Sequence, residues 1–323
     1  MRRLITFAGI AAATAAVLCS LGFVTTEVGW KRTFSAPYPA IAATTDAAVV
    51  ARGQYLVYGP AACAYCHVPR EQWRALDAGT SLPLSGRHVF RLRFGEFFSP
   101  NLTGDRETGV GRRTDGELAR ILRFGVRADG RAAFPFMAFS GLSDDDLTAI
   151  ISAIRSQPAI ASAVPDHRLS RLGKVLMTFA IKPSPPDRVM APRRSPAGPS
   201  VERGAYLATY VSSCVECHTN RSRTDGSFSG PKFAGGQRLD MAADPTLVAV
   251  TPNLTPDAAT SPIGRWTEEA FVARFRRGEI LEGTPMPWGA FARMTDDDLR
   301  SVFRYLRTLP PVDHATGPAM QPK

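Results

Sequence analysis

The feature that most limits what this chain can fold into is a duplication. Cys63-Ala64-Tyr65-Cys66-His67 returns 151 positions later as Cys214-Val215-Glu216-Cys217-His218. The flanks return in the same order. Arg52-Gly53-Gln54-Tyr55-Leu56 is answered by Arg203-Gly204-Ala205-Tyr206-Leu207, and Asn101-Leu102-Thr103 by Asn253-Leu254-Thr255. Gly111-Arg112-Arg113-Thr114 then matches Gly264-Arg265-Trp266-Thr267. With 323 residues, two domains of ordinary size are expected, residues 48–158 and 200–311. A proline-rich linker at 159–199 would join them, with a tail at 312–323.

In CxxCH the two thiols lie one helical turn apart, so both can add across the vinyl groups on one edge of a haem. The following histidine then brings its imidazole under the iron. Among 5 Cys and 5 His the chance expectation is about one in a thousand for one such run and about one in a million for two. A disulfide or thiol redox pair does not require a histidine beside both second cysteines. A zinc site wants four ligands, and each unit offers a local trio. The reading is two covalent haem c groups, held by Cys63, Cys66 and His67 and by Cys214, Cys217 and His218.

Each unit should close with a helix. Ser143 and Thr295 each precede three aspartates, pairing a hydroxyl cap with acid at the positive helix end. Leu147, Ile150, Ile151 and Ile154 form a helical stripe, as do Leu299, Val302, Phe303 and Leu306. Tyr55 and Tyr206 read as packing residues of an opening helix, and Gly53 and Gly204 as points where it crosses the closing one. Asn101 and Asn253 either shape a loop or reach a haem propionate. Strand signals are weak, so the expected fold class is all-α.

Before the first unit, Met1-Arg2-Arg3 leads into Leu4 to Val24, 21 residues without a charge and about 31 Å long as a helix. Within residues 1–30 this reads as a membrane anchor, Arg2 and Arg3 remaining cytoplasmic, or as a secretory signal cleaved near Ser20-Leu21-Gly22. Cys19 reads as an apolar helix residue. Either alternative places the haem units in the periplasm, on the inner membrane or free of it. The net charge of +10 is scattered, with no dense basic run interleaved with aromatics, so no nucleic-acid partner is expected. A basic face suits an acidic redox partner.

The two motifs, both Asn-Leu-Thr segments and the endings FMAFSGLSDDDL and PMPWGAFARMTDDDL resemble the class I cytochrome c superfamily. More narrowly, they resemble the membrane-anchored multihaem cytochromes that serve bacterial dehydrogenases. The alcohol and gluconate dehydrogenase subunits of that kind usually have three haem domains; this chain shows two. The resemblance implies a helical, haem-wrapping fold and an electron-transfer role. Met137, 70 residues after His67, and Met286, 68 after His218, are the paired candidates for sixth ligand, since a thioether favours ferrous iron. Met286-Pro287 matches the family's Met-Pro pair, whereas Met137 precedes Ala138. Met294, Met177, Met190, Met241 and Met320 read as packing or surface residues, as do His88, His167 and His314.

With both axial positions filled, neither iron is open to a substrate, and the expected role is a carrier rather than an enzyme. Its partners would be a dehydrogenase donor and a cytochrome or oxidase acceptor. The competing class is a dihaem enzyme, a peroxidase or sulfur-compound dehydrogenase, in which one iron has an open or unusual distal side.

Overall fold

The computed structural model describes residues 22 and 24–323, apart from 138, 223–225 and 242–243. Most of the run from Leu4 to Val24, and Cys19, lie outside the described residues. Among those described, no helix is long and apolar enough to cross a membrane.

Each unit is framed by two helices. In the first, Asp46 caps Ala47–Tyr58 through the amides of Ala48 and Val49, and Ser143 caps Asp144–Arg155 through that of Asp146. The stripe Leu147, Ile150, Ile151 and Ile154 is buried, each side chain contributing about 1.5–3 kcal/mol of apolar burial. In the second, Val201–Tyr206 runs on into a π-helical turn, Leu207–Val211, and faces Asp296–Thr308. Leu299, Val302, Phe303 and Leu306 are the buried stripe there. The crossings are very close. A Cβ on Gly53 would sit 1.8 Å from the Ala149 carbonyl oxygen, and one on Gly204 1.8 Å from that of Ser301. Beside each crossing an arginine grips a buried aspartate with both its Nε and Nη2, Arg52 on Asp146 and Arg203 on Asp298.

The fold is mainly helical, and the all-α expectation needs correction. Among the described residues, six short strands form two three-stranded antiparallel sheets. Val89–Leu92 pairs with Gly95–Phe98, which pairs with Arg168–Leu169. Arg238–Asp240 pairs with Leu247–Val250, which pairs with Met320–Pro322. The third strand of each sheet comes from the chain beyond the closing helix, so the stretch after each unit folds back onto it.

The units also exchange contacts. Tyr55 Oη donates to Asp298 Oδ2 at 2.6 Å and accepts from the Thr295 amide at 3.1 Å. Its repeat partner Tyr206 donates to Asp146 Oδ2 at 2.9 Å and accepts from the Ser143 amide at 3.0 Å. Equivalent residues thus make equivalent bonds in both directions, the signature of a pseudo-twofold interface. Apolar residues of both units, Leu56 and Ile150 with Leu207 and Leu306 among them, join one continuous core.

Candidate haem-attachment centres

The motif helices are short, Cys63–His67 and Cys214–Cys217 with His218 as its cap. Each is preceded by a non-glycine residue in the left-handed region, Ala62 at φ 50° and Ser213 at φ 49°. That conformation costs about 1–3 kcal/mol and persists where the surroundings enforce it. Here it turns the chain sharply out of the opening helix, so that the two thiols and the imidazole follow within one short segment.

None of the four motif cysteines is tied up in a disulfide. Burial pushes Cys63 and Cys214 up to about 12 and Cys66 up to about 11, and burial with the Glu216 charge raises Cys217.

The histidines are more tightly defined. His67 and His218 are 8% and 9% exposed. His67 Nδ1 lies 2.9 Å from the Pro100 carbonyl oxygen, and His218 Nδ1 3.1 Å from that of Pro252. A carbonyl only accepts, so Nδ1 carries the proton and Nε2 keeps its lone pair. Burial brings His67 down to about 4 and lowers His218 as well. Both rings are neutral at pH 7, the state a metal ligand requires.

The proline loops are anchored from both sides. Gly86 and Gly235 donate their amides to the carbonyls of His67 and His218, each at 2.8 Å, and have φ of +77° and +71°. A Cβ on Gly86 would lie 2.6 Å from the Pro100 carbonyl carbon, and one on Gly235 2.4 Å from the Pro252 oxygen. Asn101 donates to Thr108 Oγ1 at 3.2 Å and the Ile160 carbonyl at 2.8 Å, while its Oδ1 accepts from the Thr103 amide at 2.9 Å. Asn253 repeats this with Thr260, Val312 and Thr255. Of the two readings for these asparagines, loop shaping is the one seen. Pro100, Pro252, Gly86 and Gly235 escaped the sequence reading, although the repeat extends one residue upstream, from Asn-Leu-Thr to Pro-Asn-Leu-Thr.

Several polar atoms beside the motifs are buried without a hydrogen-bond partner. They are Trp73 Nε1 and His88 Nδ1 near the first and Ser212 Oγ and Ser213 Oγ at the second. Trp73 stacks on His88 at 5.1 Å and packs against Tyr65 of the motif at 5.4 Å. Cysteines left out of any disulfide, a lone-pair-bearing imidazole and unpartnered buried polar atoms together fit a haem with carboxylate side arms. Among the described residues no three His, Cys, Asp or Glu side chains converge as a metal-ion site.

The candidate sixth ligands lie where the repeat puts them, in the loops before the closing helices. Met286 is half-buried against the core, and its carbonyl accepts from the Trp288 amide at 2.8 Å. Trp288 is held by its indole bond to Thr284 Oγ1 at 3.1 Å and by Arg274, 3.7 Å above the ring. Met137 is half-buried, and Ala138 falls outside the described residues. Phe136 beside it stacks on Phe90 at 5.1 Å. Met294, Met241 and Met177 are buried, while Met190 and Met320 are exposed. The remaining histidines serve the backbone: His167 accepts from the Phe98 amide at 3.3 Å, and His314 donates to the Ala234 carbonyl at 2.9 Å.

No family model matches the chain. It is 30% identical over 306 residues to the cytochrome c subunit of the quinone alcohol dehydrogenase of Gluconacetobacter polyoxogenes, an alignment covering 86% of this chain and 60% of that subunit. The corresponding subunit of Gluconobacter oxydans is 28% identical over 88% of this chain and 61% of its own length. A diheme cytochrome c-type protein of Cereibacter sphaeroides is 24% identical over 80% of this chain and 85% of its own length. The chain therefore spans about three-fifths of the alcohol dehydrogenase subunits it resembles and most of the dihaem cytochrome. The chain is thus homologous to the cytochrome c subunits of bacterial dehydrogenases and to a dihaem cytochrome c, a kinship that implies covalently bound haem c.

Proposed function

We propose that the chain is a dihaem electron carrier, taking electrons from a dehydrogenase and handing them to a downstream cytochrome or oxidase. Units 48–158 and 200–311 each carry one haem, ligated by His67 and Met137 in the first and by His218 and Met286 in the second. The haem supplies one-electron chemistry; the protein fixes its ligands and keeps water from its iron. The observation that carries this reading is the matched Nδ1 bond of His67 and His218 to a proline carbonyl, which leaves each imidazole one nitrogen for iron. Matched methionines in the loop before each closing helix support it, since two filled axial positions suit transfer over substrate chemistry. We also place both units in the periplasm, with Leu4 to Val24 as the membrane anchor.

Carbon monoxide separates carrier from enzyme. Ferrous holoprotein with two sulfur-ligated irons should show no carbon monoxide shift at either haem on mixing, and should be reoxidised by an acceptor cytochrome. A shift of half the haem absorbance, with turnover of peroxide or a sulfur compound, would make the enzyme the right reading.

A further inference from the structure

The linker helix Arg171–Phe179 has two faces of different character. Ser170 caps it through the Gly173 amide at 3.2 Å. Gly173, Met177 and Thr178 are buried, and a Cβ on Gly173 would meet the Phe94 carbonyl at 2.0 Å, which fixes that face on the first unit's hairpin. The other face is apolar and largely open to solvent. Leu172, Val175 and Phe179 are 48%, 40% and 59% exposed and stand at i, i+3 and i+7, one stripe along the helix. An apolar stripe facing water is costly to leave uncovered.

Residues 24 to 29 form a helix beside it. Lys174 Nζ pairs with Glu27 Oε2 at 2.6 Å. Gly22 and Thr26 border Arg171 and Val175, and a Cβ on Gly29 would be 2.5 Å from Thr178 Cγ2. This neighbour also exposes apolar side chains, Val24 at 57% and Val28 at 66%. It is where the uncharged run Leu4 to Val24 ends. Around the pair stand exposed cations: Lys31 and Arg32 after one helix, Arg171 at the start of the other and Lys182 beyond its end.

We propose that the Arg171–Phe179 helix is a lipid-docking face, lying in the headgroup region of an anionic bilayer and laying the first haem unit against the membrane. Two features choose lipid over protein as the occupant. The long apolar run joins the structure at this helix pair, and the cations beside the stripe match anionic headgroups. The inference rests on the reading that Leu4 to Val24 is embedded in the membrane. It adds a second, interfacial contact that restrains how the haem units lean over the surface.

Full-length holoprotein carrying nitroxide labels at Leu172→Cys, Val175→Cys and Phe179→Cys, one at a time, tests this in phosphatidylglycerol vesicles. Glu202→Cys on the second unit is the control. Relaxation enhancement by oxygen against that by a water-soluble nickel chelate reads immersion directly. The three stripe labels should show an oxygen-to-nickel ratio several-fold above the control, and a lower one in phosphatidylcholine. Ratios equal to the control overturn the docking face. So does burial of the labels only when a copurified protein partner is added back. Alkaline carbonate extraction reads the anchor separately. A chain that resists extraction with water-exposed labels keeps its anchor and loses the docking face; an extractable chain with immersed labels shows the reverse.

Discussion

At the scale of single residues, what matters is which lone pairs are left for iron. The bond from Nδ1 to Pro100 or Pro252 leaves Nε2 of each histidine its lone pair, and a thioether sulfur carries lone pairs of its own. Met286 and Met137 should therefore behave as separable ligands. Met286→His should keep that iron six-coordinate and lower its potential, because imidazole stabilises ferric iron more than sulfur does. Met286→Ala should open the site to external ligands. The ferric protein should show the near-infrared charge-transfer band of sulfur-ligated haem, and each single alanine variant should keep about half of it. An unchanged band in Met137→Ala would give the first haem another sixth ligand. The candidate ligands could be named from the sequence because side-chain chemistry repeats at fixed spacing. The proline carbonyls were not, because a backbone oxygen carries no residue-type signal.

At the scale of elements, the caps and stripes of the framing helices follow from local sequence: Ser143 and Thr295 sit one residue before the first turn and the aliphatic rows keep the helical period. The six strands were not legible for a physical reason. They are short, and the third strand of each sheet arrives from chain far along the sequence, Arg168–Leu169 in one and Met320–Pro322 in the other. Pairing of that kind is set by tertiary closure rather than by local propensity. The glycines at the helix crossings sit between these cases, since the sequence suggested a close approach and the structure shows one with no room for a methyl. Gly204→Ala should force the helices Val201–Tyr206 and Asp296–Thr308 apart, at a cost of about 1–3 kcal/mol or more. Thermal unfolding followed by haem absorbance should show a lower midpoint. Gly53→Ala should do the same in the first unit.

At the scale of the whole molecule, the two units are joined by a reciprocal exchange that the sequence reading did not find. Tyr55 and Tyr206, read from the sequence as packing residues of the opening helix, also send their hydroxyls to Asp298 and Asp146 of the other unit. A repeat shows which residues are equivalent but not which copy each one touches. Burial first, and then the facing carboxylate, raises both tyrosines above their ordinary value. The sign of the linkage follows. A group whose pKa is higher folded than unfolded stabilises the fold fully below its unfolded value, about 10 for tyrosine, and loses that contribution as pH climbs through the folded value. Tyr55→Phe removes one donor and leaves the buried Asp298 carboxylate and the Thr295 amide short of a partner, at about 1–3 kcal/mol. Tyr206→Phe does the same at the other half of the interface. Holoprotein carrying both substitutions should thus be less stable than wild type at neutral pH in denaturant titrations. The gap should narrow as pH rises above 10, because only the wild type has these hydroxyls to ionise. Each single variant should still unfold in one transition, while the double variant should separate into two as the units lose their coupling. A gap that stays constant across that pH range would mean that the hydroxyls contribute nothing to the interface beyond packing.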